Sequence, residues 1–161
     1  MPRRLRFDSS AVKNLIPRKE LEWDLGHFPV LDRKTSMYEV TVEAGFSSGH
    51  YLRNYRGKCE NPHGHNYKVR VTLAGAELDP AGMLLDFKLL KHVMRPVIDR
   101  IDHQMLNDLE PFIELNPSAE NLARYFYDQT NLQLSEMTEG RVRVKDCTIW
   151  ETDTTTATYY E

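Results

Sequence analysis

Two segments in which apolar and polar residues alternate most constrain the fold of this chain. In residues 37–46 and again in residues 67–73, every second side chain is apolar and most of those between are polar. Side chains of a β-strand point alternately to its two faces, so each segment predicts a strand with one buried face. Residues 142–149 predict a third strand, in which a bulge could occur, and residues 156–160 predict a fourth.

The region between these strand pairs predicts helices. Apolar residues recur at three- and four-residue spacing from Phe87 to Ile101, and Asp86 before them is a candidate N-cap. Pro96 lies inside this segment and is expected to kink or reset the helix.

A second helix is predicted to follow Ser118, another candidate N-cap, and to carry Leu122 and Phe126 on its apolar side. Residues 132–139 predict a loop. The order strand-strand-helix-helix-strand-strand is typical of an α+β domain, with a four-stranded antiparallel sheet and two helices on one face. A chain of 161 residues is long enough to bury the core of one such domain.

The sequence His63-Gly64-His65 is the strongest chemical signal in the chain. Two imidazoles at alternate positions of an extended segment point to the same side, and the glycine between them permits close approach of the backbone. An isolated His-x-His pair is more often accidental, but His50 at the end of the first strand segment supplies a third ligand. Three histidines without a fourth protein ligand are typical of a catalytic zinc site whose open position takes water or substrate.

Cys59 lies four residues before His63 and is a candidate general base. A thiol becomes an effective base when a nearby cation or metal favours its thiolate. Burial as a small apolar residue is the alternative, and the polar neighbours Lys58 and Glu60 argue against it. Cys147, by contrast, lies in a strand pattern and is expected to pack in the core.

Charge and composition exclude several classes of partner. The net charge is −3, with residues 1–36 positive and the remainder clearly acidic. A nucleic-acid-binding domain of this size is usually basic, so we expect no nucleic-acid partner. No apolar run approaches membrane-spanning length and two cysteines make no disulfide framework, so we expect no membrane association and a cytoplasmic location.

Four segments in register resemble the 6-pyruvoyltetrahydropterin synthase family, and most of all its bacterial 6-carboxytetrahydropterin synthase branch. The resemblance covers residues 37–161, the expected catalytic domain, and leaves residues 1–36 as an N-terminal extension. The branch shares with this chain the spacing of three residues between the cysteine and the first histidine. The segments are Cys59-Glu60-x-x-His63-Gly64-His65, Asp102-His103-x-x-Leu106-Asn107, Asn116-Pro117-Ser118-Ala119-Glu120-Asn121 and Glu151-Thr152.

This resemblance implies the tunnelling fold, in which sheets of several subunits join into a barrel, and a hexamer with sites at the subunit interfaces. It also implies zinc bound by His50, His63 and His65, and a small dihydropterin as substrate. The implied reaction takes 7,8-dihydroneopterin triphosphate to 6-carboxy-5,6,7,8-tetrahydropterin, with loss of acetaldehyde and triphosphate, on the route to queuosine.

The resemblance further implies roles for single residues. Cys59 removes a proton from the substrate, His103 exchanges a proton there, and Asp102 orients and stabilises the imidazolium. Lys58, Arg53, Arg56 and Lys68 are nearby candidates for the triphosphate. The residues implied to bind the pterin are Glu151, Glu120 and Ser118, the last standing where the family has threonine.

Glu60 leaves a second activity open. A related branch uses a glutamate in Glu-x-x-His-Gly-His to cleave dihydroneopterin to 6-hydroxymethyl-dihydropterin for folate synthesis. This chain carries both bases in tandem, so Glu60 is either a second catalytic residue or simply exposed. A vestigial pterin-binding homologue is the non-enzyme alternative, and the presence of every expected catalytic residue type disfavours it.

Overall fold

The computed structural model describes residues 37–161, so the predicted extension at residues 1–36 lies outside the described part. Single 3₁₀ turns occur at Lys58–Glu60 and Leu106–Asp108. The strands and helices are, in chain order, β1 (Tyr38–His50), β2 (His63–Gly75), α1 (Phe87–Ile101), α2 (Ala119–Thr138), β3 (Arg143–Thr152) and β4 (Thr155–Tyr160).

The strands form one antiparallel sheet in the order β1-β2-β3-β4, which confirms the predicted α+β architecture. Strands β1 and β2 are longer than the alternating segments that predicted them. Their register is continuous and pairs Tyr38 with Gly75 at one end and His50 with His63 at the other. The histidine segment is therefore part of the sheet.

The predicted bulge occurs in β3. Thr72 and Leu73, which are adjacent in β2, pair with Asp146 and Val144 of β3. Lys145 lies between these two and therefore has no partner in β2. The extra residue turns its side chain to the polar face of the sheet, where Nζ of Lys145 lies 2.7 Å from the Glu39 carboxylate on β1.

The core lies between the sheet and the two helices. Phe126 of α2 packs on Phe46, and Val71 and Ile149 of the central strands are fully buried. Cys147 is also fully buried, as predicted, and burial raises the pKa of its thiol. Within residues 37–161, neither helix combines the length and the apolar character that crossing a membrane would need.

Helix α1 begins at the predicted cap, where the Asp86 carboxylate accepts a hydrogen bond of 2.8 Å from the Lys88 backbone N–H. The helix continues through Pro96, so the proline does not reset it, and the kink that was the other expectation stays a prediction. Proline removes one backbone donor, but Ile98 and Ile101 beyond it are buried against the core and keep the last turn in place.

Helix α2 begins after Ser118 as predicted, but it runs to Thr138, so the loop predicted at residues 132–139 is wrong. The segment contains neither glycine nor proline, and Leu134 within it is fully buried. The helix ends only where Glu139 and Gly140 adopt positive φ angles of 51° and 76°.

The last turns of α2 provide a test of this packing. Leu134→Ala removes a fully buried side chain and is expected to lower the free energy of unfolding by about 2–4 kcal/mol. Leu132→Ala is the matched control, because Leu132 is 61 % exposed, and it should change stability by less than about 0.5 kcal/mol. Urea denaturation measures both, and equal effects would contradict the helical assignment.

Candidate functional site

The open end of the β1–β2 pair brings three histidines together. His50 closes β1 directly opposite His63, and His65 lies two residues further along β2 on the same face. One ring nitrogen from each of the three lies within 4.8 Å of those of the others, and Nε2 of His50 is 3.1 Å from Nε2 of His63. The three residues that the sequence nominated therefore form one cluster.

Backbone carbonyls set the orientation of two of these rings. Nδ1 of His50 lies 2.7 Å from the Pro117 carbonyl oxygen, and Nδ1 of His63 lies 2.8 Å from that of Asn61. A carbonyl only accepts, so both Nδ1 atoms donate and both Nε2 atoms of the neutral rings present lone pairs.

The cluster is suited to a cation. Two Nε2 lone pairs 3.1 Å apart repel each other unless a positive charge lies between them. Among residues 37–161, Nε2 of His65 is buried without a hydrogen-bond partner. Burial also lowers the pKa of His50, although the Pro117 carbonyl opposes this, so the ring is held in the neutral form that binds metals. The triad could thus hold a metal ion.

Gly64 allows the two strands to approach closely beside the histidines. A Cβ at this position would lie 3.2 Å from the Ser48 carbonyl oxygen of β1. Gly64 pairs with Gly49, so the two strands approach closely where their histidines converge. The close contact between the strands therefore requires a residue without a side chain at this position; the expected approach of its backbone to a bound group stays a prediction.

A cavity of about 280 Å³ opens beside the triad. Cys59 lines it from the first 3₁₀ turn and is partly buried. All three residues nominated for pterin binding line the same cavity, together with one histidine of the triad: His50, Ser118, Glu120 and Glu151. The cavity therefore brings together a thiol, two carboxylates and one histidine of the candidate metal cluster.

The three residues nominated for pterin binding differ in their exposure and in the contacts that their side chains already make. The Ser118 hydroxyl accepts a hydrogen bond of 3.3 Å from the Asn121 backbone N–H and thereby caps α2. Glu120 is exposed in the first turn of that helix. Glu151 lies on β3 with its Oε1 3.4 Å from Nε2 of His50, so its carboxylate borders both the cavity and the cluster.

Asp102 and His103 form a coupled pair at the end of α1. The helix ends at Ile101, and His103 takes a left-handed conformation with φ 57°, which lets adjacent side chains meet. Nδ1 of His103 donates to the Asp102 carboxylate across 3.0 Å. The backbone N–H of Ser47 donates to the same oxygen across 2.8 Å and is the main reason that the pKa of Asp102 lies below its usual range.

This pair does not share the cavity of Cys59. His103 lines a second cavity of about 470 Å³, next to His65 and Gly64. Its side chain is 78 % exposed. Glu60 is exposed as well, and within residues 37–161 it lines neither of the two cavities. Within one chain, Cys59, Glu60 and the Asp102–His103 pair therefore lie in separate locations.

Sequence reasoning missed two asparagines that hold the loop after β1. The Asn107 side chain exchanges two hydrogen bonds of 2.9 Å with the backbone of Tyr51. Asn116 does the same with the backbone of Arg53, at 2.8 and 3.0 Å. Both asparagines belong to the segments quoted above. Their amides hydrogen-bond the backbone after β1 as a neighbouring strand would, and such a contact between distant residues leaves no pattern in the sequence.

Arg53 has a structural role that makes it a poor candidate for phosphate binding. Its guanidinium donates to the carbonyl oxygens of Leu115 and Phe112 across 3.1 and 2.8 Å. Lys68 is similarly occupied, since its Nζ lies 4.1 Å from the centre of the Trp150 ring and 3.7 Å from Glu43.

Comparison with known proteins adds independent information. Residues 39–161 match the family described as 6-pyruvoyl tetrahydropterin synthase. The chain is 33% identical to 6-carboxy-5,6,7,8-tetrahydropterin synthase of Aquifex aeolicus, over 65% of this chain and 76% of the relative. It is 32% identical to the Bacillus subtilis protein of the same name, over 76% of this chain and 84% of that protein.

A solved structure of 6-pyruvoyl tetrahydropterin synthase from Caenorhabditis elegans has the same fold. It superposes with a TM-score of 0.68 and 32% sequence identity, covering 78% of this chain and 96% of that one.

The cluster geometry predicts the effect of removing one ligand. His63→Ala should weaken zinc binding at least about tenfold, because it removes one of three converging nitrogens. His92→Ala is the control, since His92 is exposed on α1. Zinc titration of the metal-free proteins checks this, and stoichiometric, undiminished binding by His63→Ala would refute the assignment.

The lowered pKa of Asp102 predicts that the stability of the protein depends on pH. Its folded-state pKa is lowered, so its stabilising contribution is complete above the unfolded value of about 3.9 and is lost as the pH falls through the folded value. Asp102→Asn should therefore lower the urea midpoint at about pH 7 and approach wild type near about pH 2.

Asp99→Asn is the control for this comparison, because Asp99 forms only a surface pair with Arg95. A midpoint for Asp102→Asn that equals that of wild type at every pH would contradict the prediction.

Proposed function

Because the chain belongs to the 6-pyruvoyl tetrahydropterin synthase family, we propose that this enzyme is a zinc-dependent lyase that acts on 7,8-dihydroneopterin triphosphate. Its product would be 6-carboxy-5,6,7,8-tetrahydropterin, with release of acetaldehyde and triphosphate, in the supply of queuosine and related deazapurines. The observation that carries the proposal is the cavity that joins Cys59 and Glu151 to the histidine cluster. Two relatives that carry the product's name support the choice of reaction.

His50, His63 and His65 are the proposed zinc ligands. Bound there, a zinc ion supplies a positive charge that polarises hydroxyl groups of the substrate side chain and stabilises negative charge developing on them. The protein's contribution is to orient the rings in advance, through the carbonyls of Pro117 and Asn61.

Cys59 is the proposed base. It lines the cavity that also contains the edge of His50, so a substrate side chain held there would lie near the thiol. The Cys59 carbonyl accepts a hydrogen bond of 2.8 Å from the Leu52 N–H, which fixes the backbone of the turn that carries the thiol. A positioned base of this kind contributes roughly 100-fold to 10,000-fold to the rate of proton transfer.

Glu151 is the proposed anchor for the pterin ring. A pterin presents adjacent N–H groups on one edge, and a carboxylate can accept two of them together. Glu120 and the Ser118 residue line the same cavity and are proposed to contact the ring as well. The Ser118 hydroxyl already caps α2, so a contact with the pterin ring would use the hydrogen-bonding capacity that the hydroxyl has left.

The Asp102–His103 pair is proposed to complete the site of a neighbouring subunit. Within one chain His103 and Cys59 line different cavities, and the His103 side chain is largely exposed. The sheet also ends in β1 and β4, each with one side free of a strand partner within residues 37–161. A hexameric barrel of the tunnelling type would pair these edges and bring the two half-sites together.

A second activity is proposed for Glu60, namely release of 6-hydroxymethyl-dihydropterin from dihydroneopterin. The supporting observation is that Glu60 directly follows Cys59 in the same 3₁₀ turn, a short distance before the histidines. A thiol and a carboxylate near one metal can select different protons of one side chain. The proposed partners are small dihydropterins in the cytoplasm, with neither nucleic acid nor membrane among them.

Product analysis tests both activities. Wild type supplied with dihydroneopterin and its triphosphate should release the carboxy and the hydroxymethyl product. Cys59→Ala should reduce formation of the carboxy product at least about 100-fold while zinc and pterin binding persist, because the thiol only transfers a proton. Glu60→Ala should suppress the hydroxymethyl product alone.

Each variant serves as the control for the other, since the two residues are adjacent in one turn. Loss of zinc in Cys59→Ala would make the thiol a ligand and contradict its role as base. A wild type that yields only the carboxy product, matched by Glu60→Ala, would leave Glu60 as an exposed residue without a catalytic role.

A further inference from the structure

Glu151 borders the histidine cluster as well as the cavity. Its Oε1 lies 3.4 Å from Nε2 of His50 and 3.8 Å from Nε2 of His65. The same side chain lines the cavity beside Cys59 and Glu120. It is 32% exposed, so its carboxylate has room to turn towards either side.

The contact between Glu151 and His50 joins two acceptors. The His50 ring donates through Nδ1 to the Pro117 carbonyl, so its Nε2 presents a lone pair. The carboxylate oxygen 3.4 Å away also presents only lone pairs, and Nε2 of His63 is a third acceptor 3.1 Å from that of His50. Acceptors that converge in this way are stabilised by a cation among them.

The distances around His50 suit one tetrahedral ion. With zinc–nitrogen and zinc–oxygen bonds of about 2.0–2.1 Å, neighbouring ligand atoms lie roughly 3.3–3.4 Å apart. The separation of 3.4 Å between Glu151 and His50 matches that edge, and the 3.1 Å between His50 and His63 is close to it. The 3.8 Å to His65 is longer, and Glu151 does not belong to the group of residues whose ligand atoms all lie within 4.8 Å of one another, so its carboxylate must turn towards the histidines to complete the set.

We propose that Glu151 is the fourth ligand of the metal when no substrate is present, and that it leaves the metal when a pterin ring enters the cavity. This inference rests on the proposed metal site and extends the role of Glu151 beyond anchoring the ring. The coordination position reserved for the substrate side chain is then covered by a carboxylate until the ring draws that carboxylate away.

The exchange couples the two binding events. One carboxylate cannot bind the metal and accept both N–H groups of the pterin edge with full strength. A ring without a hydroxylated side chain should therefore weaken metal binding, and the metal should weaken binding of that ring by the same factor. The substrate should not weaken metal binding in this way, because its side-chain oxygens take the coordination position that Glu151 leaves.

The test uses Co²⁺ as the metal, because its visible absorption reports the set of ligands. Co²⁺ is titrated into the metal-free full-length protein, its Glu151→Gln variant and the control Glu120→Gln. Glu120 lines the same cavity but belongs to α2 rather than to the cluster. Glu151→Gln should bind Co²⁺ at least about tenfold more weakly, with an altered spectrum, whereas Glu120→Gln should match wild type in both.

Unsubstituted pterin is the second probe. Added to Co²⁺-loaded wild type, it should shift the spectrum towards that of Glu151→Gln and lower the Co²⁺ affinity. Weaker binding by Glu151→Gln with an unchanged spectrum would show a charge effect alone and overturn the inference. So would equal affinity and spectrum in all three proteins, which would leave the metal site intact. Failure of wild type to bind Co²⁺ would instead refute the proposed metal site, and this inference with it.

Discussion

The pairing of β1 with β2 is the interaction on which the site depends. Its register is continuous from Tyr38 opposite Gly75 to His50 opposite His63. A slip of one residue would turn every side chain to the other face, so the buried Val42, Val69 and Val71 of the apolar face also determine where the histidines point. The hydrophobic face of the sheet and the candidate metal cluster are therefore consequences of one register.

Groups outside the sheet also hold the site in place. The Pro117 carbonyl, just before α2, holds the His50 ring, and Asn116 beside it pairs with the backbone of Arg53. Asn107 holds Tyr51 in the same manner. The loop that leads from β1 towards Cys59 is thus fixed by side-chain amides. This gives the thiol a defined position although it lies outside regular strands and helices.

Much of this fold follows from local patterns. Alternation predicted β1 and β2, strand-forming residues predicted β3 and β4, and Asp86 and Ser118 predicted where both helices begin, because a capping side chain acts within its own turn. The loop predicted at residues 132–139 is the main error. Helix α2 continues through Leu134 because that side chain is buried in the core, and α1 continues through Pro96 because buried contacts beyond it offset the lost hydrogen bond. Such contacts join residues that are distant in the sequence.

The chemical groups of the site can be read from the order of residues along the chain: three histidines with ligand spacing, a thiol before them and a late carboxylate at Glu151. Which of these groups meet depends on how the strands and helices pack. Strand β3 brings Glu151 within 4 Å of two histidines, while His103, whose backbone N–H donates to the Ser47 carbonyl, lines a different cavity from Cys59. The physical reason is that spacing along a chain sets the direction of neighbouring side chains, whereas distances between elements depend on how those elements pack.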